Sequence, residues 1–157
     1  MTTSNSDAMA KPNEYVLGIL IPGTSNPFLH MTVCVIQEPK WSFQATWDAK
    51  RLANAILPLP VAFGERDMFG PEKTLPVRLM TIRDEKKKEL MDEFYRTYFS
   101  PRKGEEDRLT QKFHVSIKKI LPEADKLADM DLAVMFLKVV GKDSFIWCSD
   151  KPDEYNL

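Results

Sequence analysis

Polar and apolar residues alternate along two stretches of the chain, LHMTVCVI at 29 to 36 and FHVSIKKI at 113 to 120. Alternate side chains of a strand share a face and lie about 6.5 to 7 Å apart along it. The first stretch therefore sets His30 and Thr32 on one face and Met31, Val33 and Val35 on the other. The second groups His114, Ser116 and Lys118 opposite Phe113, Val115 and Ile117. In both, groups capable of chemistry line one side and core residues the other.

The remaining apolar spacing predicts a short buried strand at YVLGILIP, 15 to 22, and a turn at GTSNPF, 23 to 28. EPK, 38 to 40, ends the strand that carries His30. From Ser42 to Leu57 the period becomes helical, with Ala45, Ala49, Leu52, Ala53 and Ile56 on one face, Ser42 as N-cap and Pro58 as stop. Strands are expected at LPVAF, 59 to 63, and VRLMTI, 77 to 82, with GERDMFGPEKTLP, 64 to 76, as a turn or irregular hairpin. A second helix runs from about Asp84, its cap, to Phe99, burying Leu90, Met91, Phe94 and Tyr98 and turning Lys86 to Lys88 to solvent. SPRKGEED, 100 to 107, reads as a charged flexible loop, and PEADKLAD, 122 to 129, as a short helix opened by Pro122. DLAVMFLKVV, 131 to 140, and DSFIWCS, 143 to 149, read as strands joined by a turn at Gly141 and Lys142.

A histidine strand, a helix and two strands occur at 30 to 82 and again at 114 to 148. This coarse duplication predicts an α+β fold of two similar lobes, about 14–82 and 83–150, in one domain. Residues 1–13 and 151–157 are expected to be tails.

Composition narrows the function. The 157 residues carry a net charge of −1, which argues against a protein that lives on long nucleic acid, where many Lys and Arg contacts to phosphate are needed. Cys34 and Cys148 lie in apolar runs without CxxC or metal-like spacing, so both are expected as buried thiols in a reducing compartment. No apolar run reaches the roughly 18 residues of a membrane span, and the polar N-terminus has no signal core. A soluble, cytoplasmic protein with no membrane partner is the expectation.

The chain has two histidines, and each is followed at the second position by a hydroxyl residue. A single strand histidine is ordinarily a polar neighbour of the core. Ser and Thr together are about one residue in nine here, so chance seldom places a hydroxyl at that offset twice. Imidazole transfers protons in both directions near neutrality. Two imidazoles on opposite sides of one phosphate can divide the work, one accepting a proton from the attacking oxygen and the other donating one to the departing oxygen. Thr32 and Ser116 can hydrogen-bond the non-bridging oxygens, where charge accumulates. Two histidines make a poor zinc site, which normally takes three or four protein ligands. No metal or cofactor is called for.

Two H-x-[ST]-x motifs on strands, HMTV at 30 to 33 and HVSI at 114 to 117, resemble the 2H phosphoesterase superfamily, from about Tyr15 to Cys148. That group includes RNA 2′,3′-cyclic phosphodiesterases, 2′-5′ RNA ligase-like proteins and viral enzymes that cut 2′-5′ oligoadenylates or cyclic oligonucleotide signals. The resemblance implies a bilobal fold, each lobe a small antiparallel sheet with helices outside, and a cleft between the lobes. It implies metal-independent phosphodiesterase chemistry on a nucleotide or short oligonucleotide with a cyclic or 2′-5′ phosphodiester. His30, Thr32, His114 and Ser116 carry over as catalytic residues. Many members have a long helix before the first motif; here GTSNPF alone fills that gap. Lys118 is a candidate phosphate contact, and Phe28 and Phe69 are candidate stacking partners for a base. Hydrolysis of a cyclic oligonucleotide signal, or nucleotide binding without cleavage, remain as alternatives.

Overall fold

The computed structural model describes residues 14–24, 28–37, 43–70, 72–99, 112–141 and 145–150. The elements are β1 (Glu14–Leu20), β2 (His30–Gln37), α1 (Phe43–Ile56), β3 (Leu59–Phe69), β4 (Leu75–Ile82), α2 (Glu85–Tyr98), β5 (His114–Ser116), a 3-10 helix (Lys118–Lys126), β6 (Met130–Leu132), β7 (Met135–Val139) and β8 (Phe145–Trp147). The strands form one antiparallel sheet in the order β6-β3-β4-β5-β2-β1-β7-β8. The fold is α+β.

Chain connectivity dictates the shape of this sheet. β6 and β7 stand six places apart in it, yet only Ala133 and Val134 separate them in sequence. Six flat spacings would span about 29 Å, whereas that link reaches at most about 11 Å. The sheet must curl until its ends approach, giving a half-barrel. The junction is tied in place: Leu20 N donates to Val134 O at 2.9 Å, and Met135 N to Ser149 Oγ at 2.8 Å.

One face of the sheet is covered by the two helices. α1 buries Ala45, Ala49, Leu52, Ala53 and Ile56, the five positions its period marks, and three alanines let it lie close. In α2 the Asp84 carboxylate caps the helix by accepting from Lys87 N at 3.1 Å. Its buried stripe is Met91, Phe94, Tyr95 and Tyr98, while Leu90 is 38% exposed. Three of the four expected positions are buried, and Tyr95, stacked on Phe99 at 4.4 Å, takes the place expected of Leu90. Lys86 is exposed, but Lys87 Nζ donates to Pro58 O at 2.6 Å and Lys88 pairs with Asp92 at 3.0 Å, so two of the three lysines are tethered.

One open expectation is narrowed and two are corrected. Of the turn or irregular hairpin expected at 64–76, the irregular hairpin forms: β3 runs to Phe69 and β4 resumes at Leu75, with a register shift between Phe63 and Arg66. Its side chains are largely exposed, so backbone pairing rather than an apolar face holds this arm, and alternation gives no signal. The strand expected over FHVSIKKI covers only His114–Ser116, because Ile117 (φ −112°, ψ 5°) turns the chain into the 3-10 helix. The helical segment is broken by a kink at Ile120 (φ −129°, ψ 26°), and the piece after it, ending at Lys126, is the short helix expected around Pro122. DLAVMFLKVV divides into β6 and β7, which serve opposite ends of the curled sheet. The expected tails, Ser42, the loop at 100–107 and Lys142 lie outside the described residues.

Candidate active site

β2 and β5 are neighbours at the centre of the sheet, with three strands on each side. Met31 stands opposite Val115, both fully buried beneath the sheet. Antiparallel pairing then sets His30 opposite Ser116 and Thr32 opposite His114. The four side chains form a two-by-two block on the face away from α1 and α2, with the histidines on its diagonal. Diagonal neighbours of this kind have Cβ atoms about 7–8 Å apart, a gap that one phosphate group can bridge.

The imidazoles are held in the same way. His30 Nδ1 lies 3.1 Å from Phe28 O, and His114 Nδ1 lies 2.8 Å from Lys112 O. In each case the partner is the carbonyl two residues earlier in the chain. A carbonyl only accepts, so Nδ1 carries the hydrogen and Nε2 is left for proton transfer. In that tautomer a neutral ring is a base at Nε2 and a protonated ring is an acid there.

The surroundings of the two rings differ. β1 places Gly18 opposite Thr32, and β7 places Phe136 opposite Gly18. The Phe136 ring meets His30 edge-on at 5.3 Å and 87°. A Cβ at Gly18 would lie 2.9 Å from Phe136 Cζ and 3.0 Å from His30 Cδ2, so the missing side chain is what admits both rings. Leu20, Val134 and Phe136 form a small second core on this face, backed by Phe145 and Trp147. Burial holds the His30 pKa below its ordinary 6.5, with the charges of Lys138 and His114 acting in the same direction against the Phe28 hydrogen bond. His114 is met instead by Phe69, at 4.6 Å and 63°.

The candidates drawn from sequence are therefore mostly brought together. Phe28 supplies the carbonyl that holds His30, and its ring stacks on Phe145 at 5.4 Å. Phe69 reaches His114 from the end of β3. Lys118 is the correction: the strand ends at Ser116, so the alternation that grouped Lys118 with His114 does not extend to it. Other lysines stand by the site, Lys112 with Nζ 5.7 Å from the Phe69 ring and Lys138 with Nζ 5.4 Å from the Phe145 ring. Sequence reasoning missed them, with Gly18 and Phe136. Two signals pointed there: a glycine inside an apolar strand marks a close approach, and Lys112 precedes His114 by the strand period.

Two clefts lie elsewhere. One of about 470 Å³ is lined by Asn54, Pro58, Ala133 and Cys148, and one of about 280 Å³ lies between α1 and α2 beside Arg51 and Glu93. Neither touches a histidine. The claim of the block of four rests on its chemistry. Among the described residues no three His, Cys, Asp or Glu side chains gather as a metal site. Both cysteines are buried, and burial raises the Cys148 thiol to about 11. No described helix is long and apolar enough to cross a membrane. Comparison with protein-family models and with curated proteins finds no match.

Proposed function

We propose that this protein is a phosphodiesterase of the 2H type, acting without a metal on nucleotides or short oligonucleotides with a 2′,3′-cyclic or 2′-5′ phosphodiester. One histidine takes the proton of the attacking oxygen and the other protonates the leaving oxygen, while Thr32 and Ser116 donate to the non-bridging oxygens. The observation that carries this reading is the matched fixation of His30 and His114, each by the carbonyl two residues back, on paired central strands. A histidine kept only for packing has no need of the same tautomer as its cross-strand neighbour.

In this reading two lobes meet at the β5–β2 pair, and each draws strands from both of the stretches expected as lobes, 14–82 and 83–150. Outward from the β5–β2 pair come β4 and β1, then β3 and β7, then β6 and β8, one of each pair on either side. Two buried thiols are in keeping with a reducing, cytoplasmic setting. The test is turnover of a panel of 2′,3′-cyclic mononucleotides, 2′-5′ oligoadenylates and cyclic oligonucleotides in the presence of EDTA. Hydrolysis lost in both His30→Ala and His114→Ala supports the reading; hydrolysis that survives either substitution, or that EDTA abolishes, defeats it.

A further inference from the structure

The space on either side of the histidine pair resembles a mirror in its chemistry. On the β5 side His114 touches Phe69, and Lys112 lies over that ring at 5.7 Å. On the β2 side His30 touches Phe136, which meets Phe145 at 5.5 Å, and Lys138 lies over Phe145 at 5.4 Å. β3 and β7, which bear Phe69 and Phe136, stand on opposite sides of β5 and β2. Across the face the order is thus ammonium and ring, imidazole, imidazole, ring and ammonium.

From this order we infer that the ligand carries a nucleobase on each side of the reacting phosphorus, as a diester joining two nucleosides does. The inference rests on the phosphodiester reading above and narrows it. A 2′,3′-cyclic mononucleotide has both ester oxygens on one ribose and a single base, so it engages one flank and leaves the other idle. A dinucleoside diester centred between the imidazoles sends a sugar and base toward Phe69 and another toward Phe28, which stacks on Phe145 as Trp147 does. The lysines do not bar this. A base stacked on an aromatic side chain strengthens binding roughly 5- to 150-fold. An exposed lysine over a ring is worth only about 2- to 5-fold, so the base displaces it. The freed ammonium is then available to the next phosphate of a longer chain or ring.

Calorimetry with unreactive phosphorothioate diesters tests the inference directly. The probes are adenylyl-adenosine in its 2′-5′ and 3′-5′ forms, cyclic di-adenylate, and the two adenosine methyl diesters that retain the base on one side or the other. At least one two-base probe is expected to bind roughly tenfold or more tighter than both one-base probes. Which one does so separates linear from cyclic ligands. In Phe69→Leu and Phe28→Leu that advantage is expected to shrink to within about twofold. One-base probes that bind as tightly as the best two-base probe overturn the inference, as does an advantage that survives both substitutions. The first of these needs no variant, so a folding defect cannot obscure it. Cleavage of adenosine 2′,3′-cyclic phosphate that needs both histidines, alongside equal affinities, removes the two-base claim and leaves the proposed function standing. A two-base preference without cleavage of any unmodified counterpart does the reverse.

Discussion

Gly18 lies directly beneath His30: a methyl group at Gly18 would stand 3.0 Å from the His30 ring and 2.9 Å from Phe136. Real Cβ contacts are essentially never that short at the second distance, so Gly18→Ala must shift one ring or both. Because Nδ1 of His30 is fixed by the Phe28 carbonyl, a shift of the ring moves Nε2 away from the phosphate position. The expected result is a fall in kcat of roughly 10- to 100-fold with KM little changed. Adding Phe136→Leu, which removes the closest clashing atom, should restore part of that loss. A Gly18→Ala protein with unaltered kcat and an unaltered His30 imidazole signal by NMR would contradict this account.

The acidic limb of both stability and activity should report on His30. Its pKa in the folded protein lies below 6.5, so the unfolded chain takes up the proton first as pH falls. Stability linked to this group is therefore complete above about 6.5, declines as pH falls from there, and levels off below the folded value. Thermal midpoints of wild type and His30→Gln, followed from pH 8 to pH 5, should diverge below about 6.5, with the wild type losing more. Parallel curves would mean that the ring is not desolvated. If His30 is the base, burial keeps it neutral and working below pH 6.5, and Lys138→Met should move the acidic limb of turnover toward alkaline pH.

The residues of this site were readable because chemistry and periodicity coincide in them. His30, Thr32, His114 and Ser116 share a face by simple alternation, and their rarity draws attention to them. The α1 face was equally plain, since five apolar positions at helical spacing are all buried. What was not readable depends on contacts distant in the chain. Nothing local shows that DLAVMFLKVV breaks at Ala133 and Val134 to bridge the two ends of a curled sheet. Phe136 and Lys138 come to His30 only through that bridge, so they passed as ordinary strand residues. The arm of β3 and β4 is held by backbone pairing with largely exposed side chains, so composition there leaves turn and irregular hairpin undivided. Lys118 departs from the alternation because the backbone leaves the strand at Ile117.

Thr32 and Ser116 are expected to act on charge developing in the reaction, not on ground-state binding. Each stands opposite a histidine across the β2–β5 ladder, so each can reach an oxygen of the phosphate that the imidazoles flank. Thr32→Val and Ser116→Ala should each lower kcat by roughly 10²- to 10³-fold, by analogy with loss of a single oxyanion donor. KM should change far less. A rise in KM with kcat intact would assign these hydroxyls to substrate docking instead.

Stability of the helical layer offers a control independent of any substrate. The Asp84 carboxylate caps α2 through Lys87 N, satisfying a donor that the helix itself leaves open. Asp84→Ala should cost about 1 kcal/mol, and Asp84→Ser should recover most of it, because a serine hydroxyl accepts the same bond. Met91, 1% exposed between α2 and the sheet, is a harsher case: Met91→Ala should cost about 2–5 kcal/mol through lost burial and the cavity left behind. Urea denaturation resolves both losses. Since α2 covers the face opposite the histidines, the capping variant should keep wild-type kcat at temperatures where it stays folded. A loss of turnover in folded Asp84→Ala would show that the helical layer steers the histidine face through the sheet.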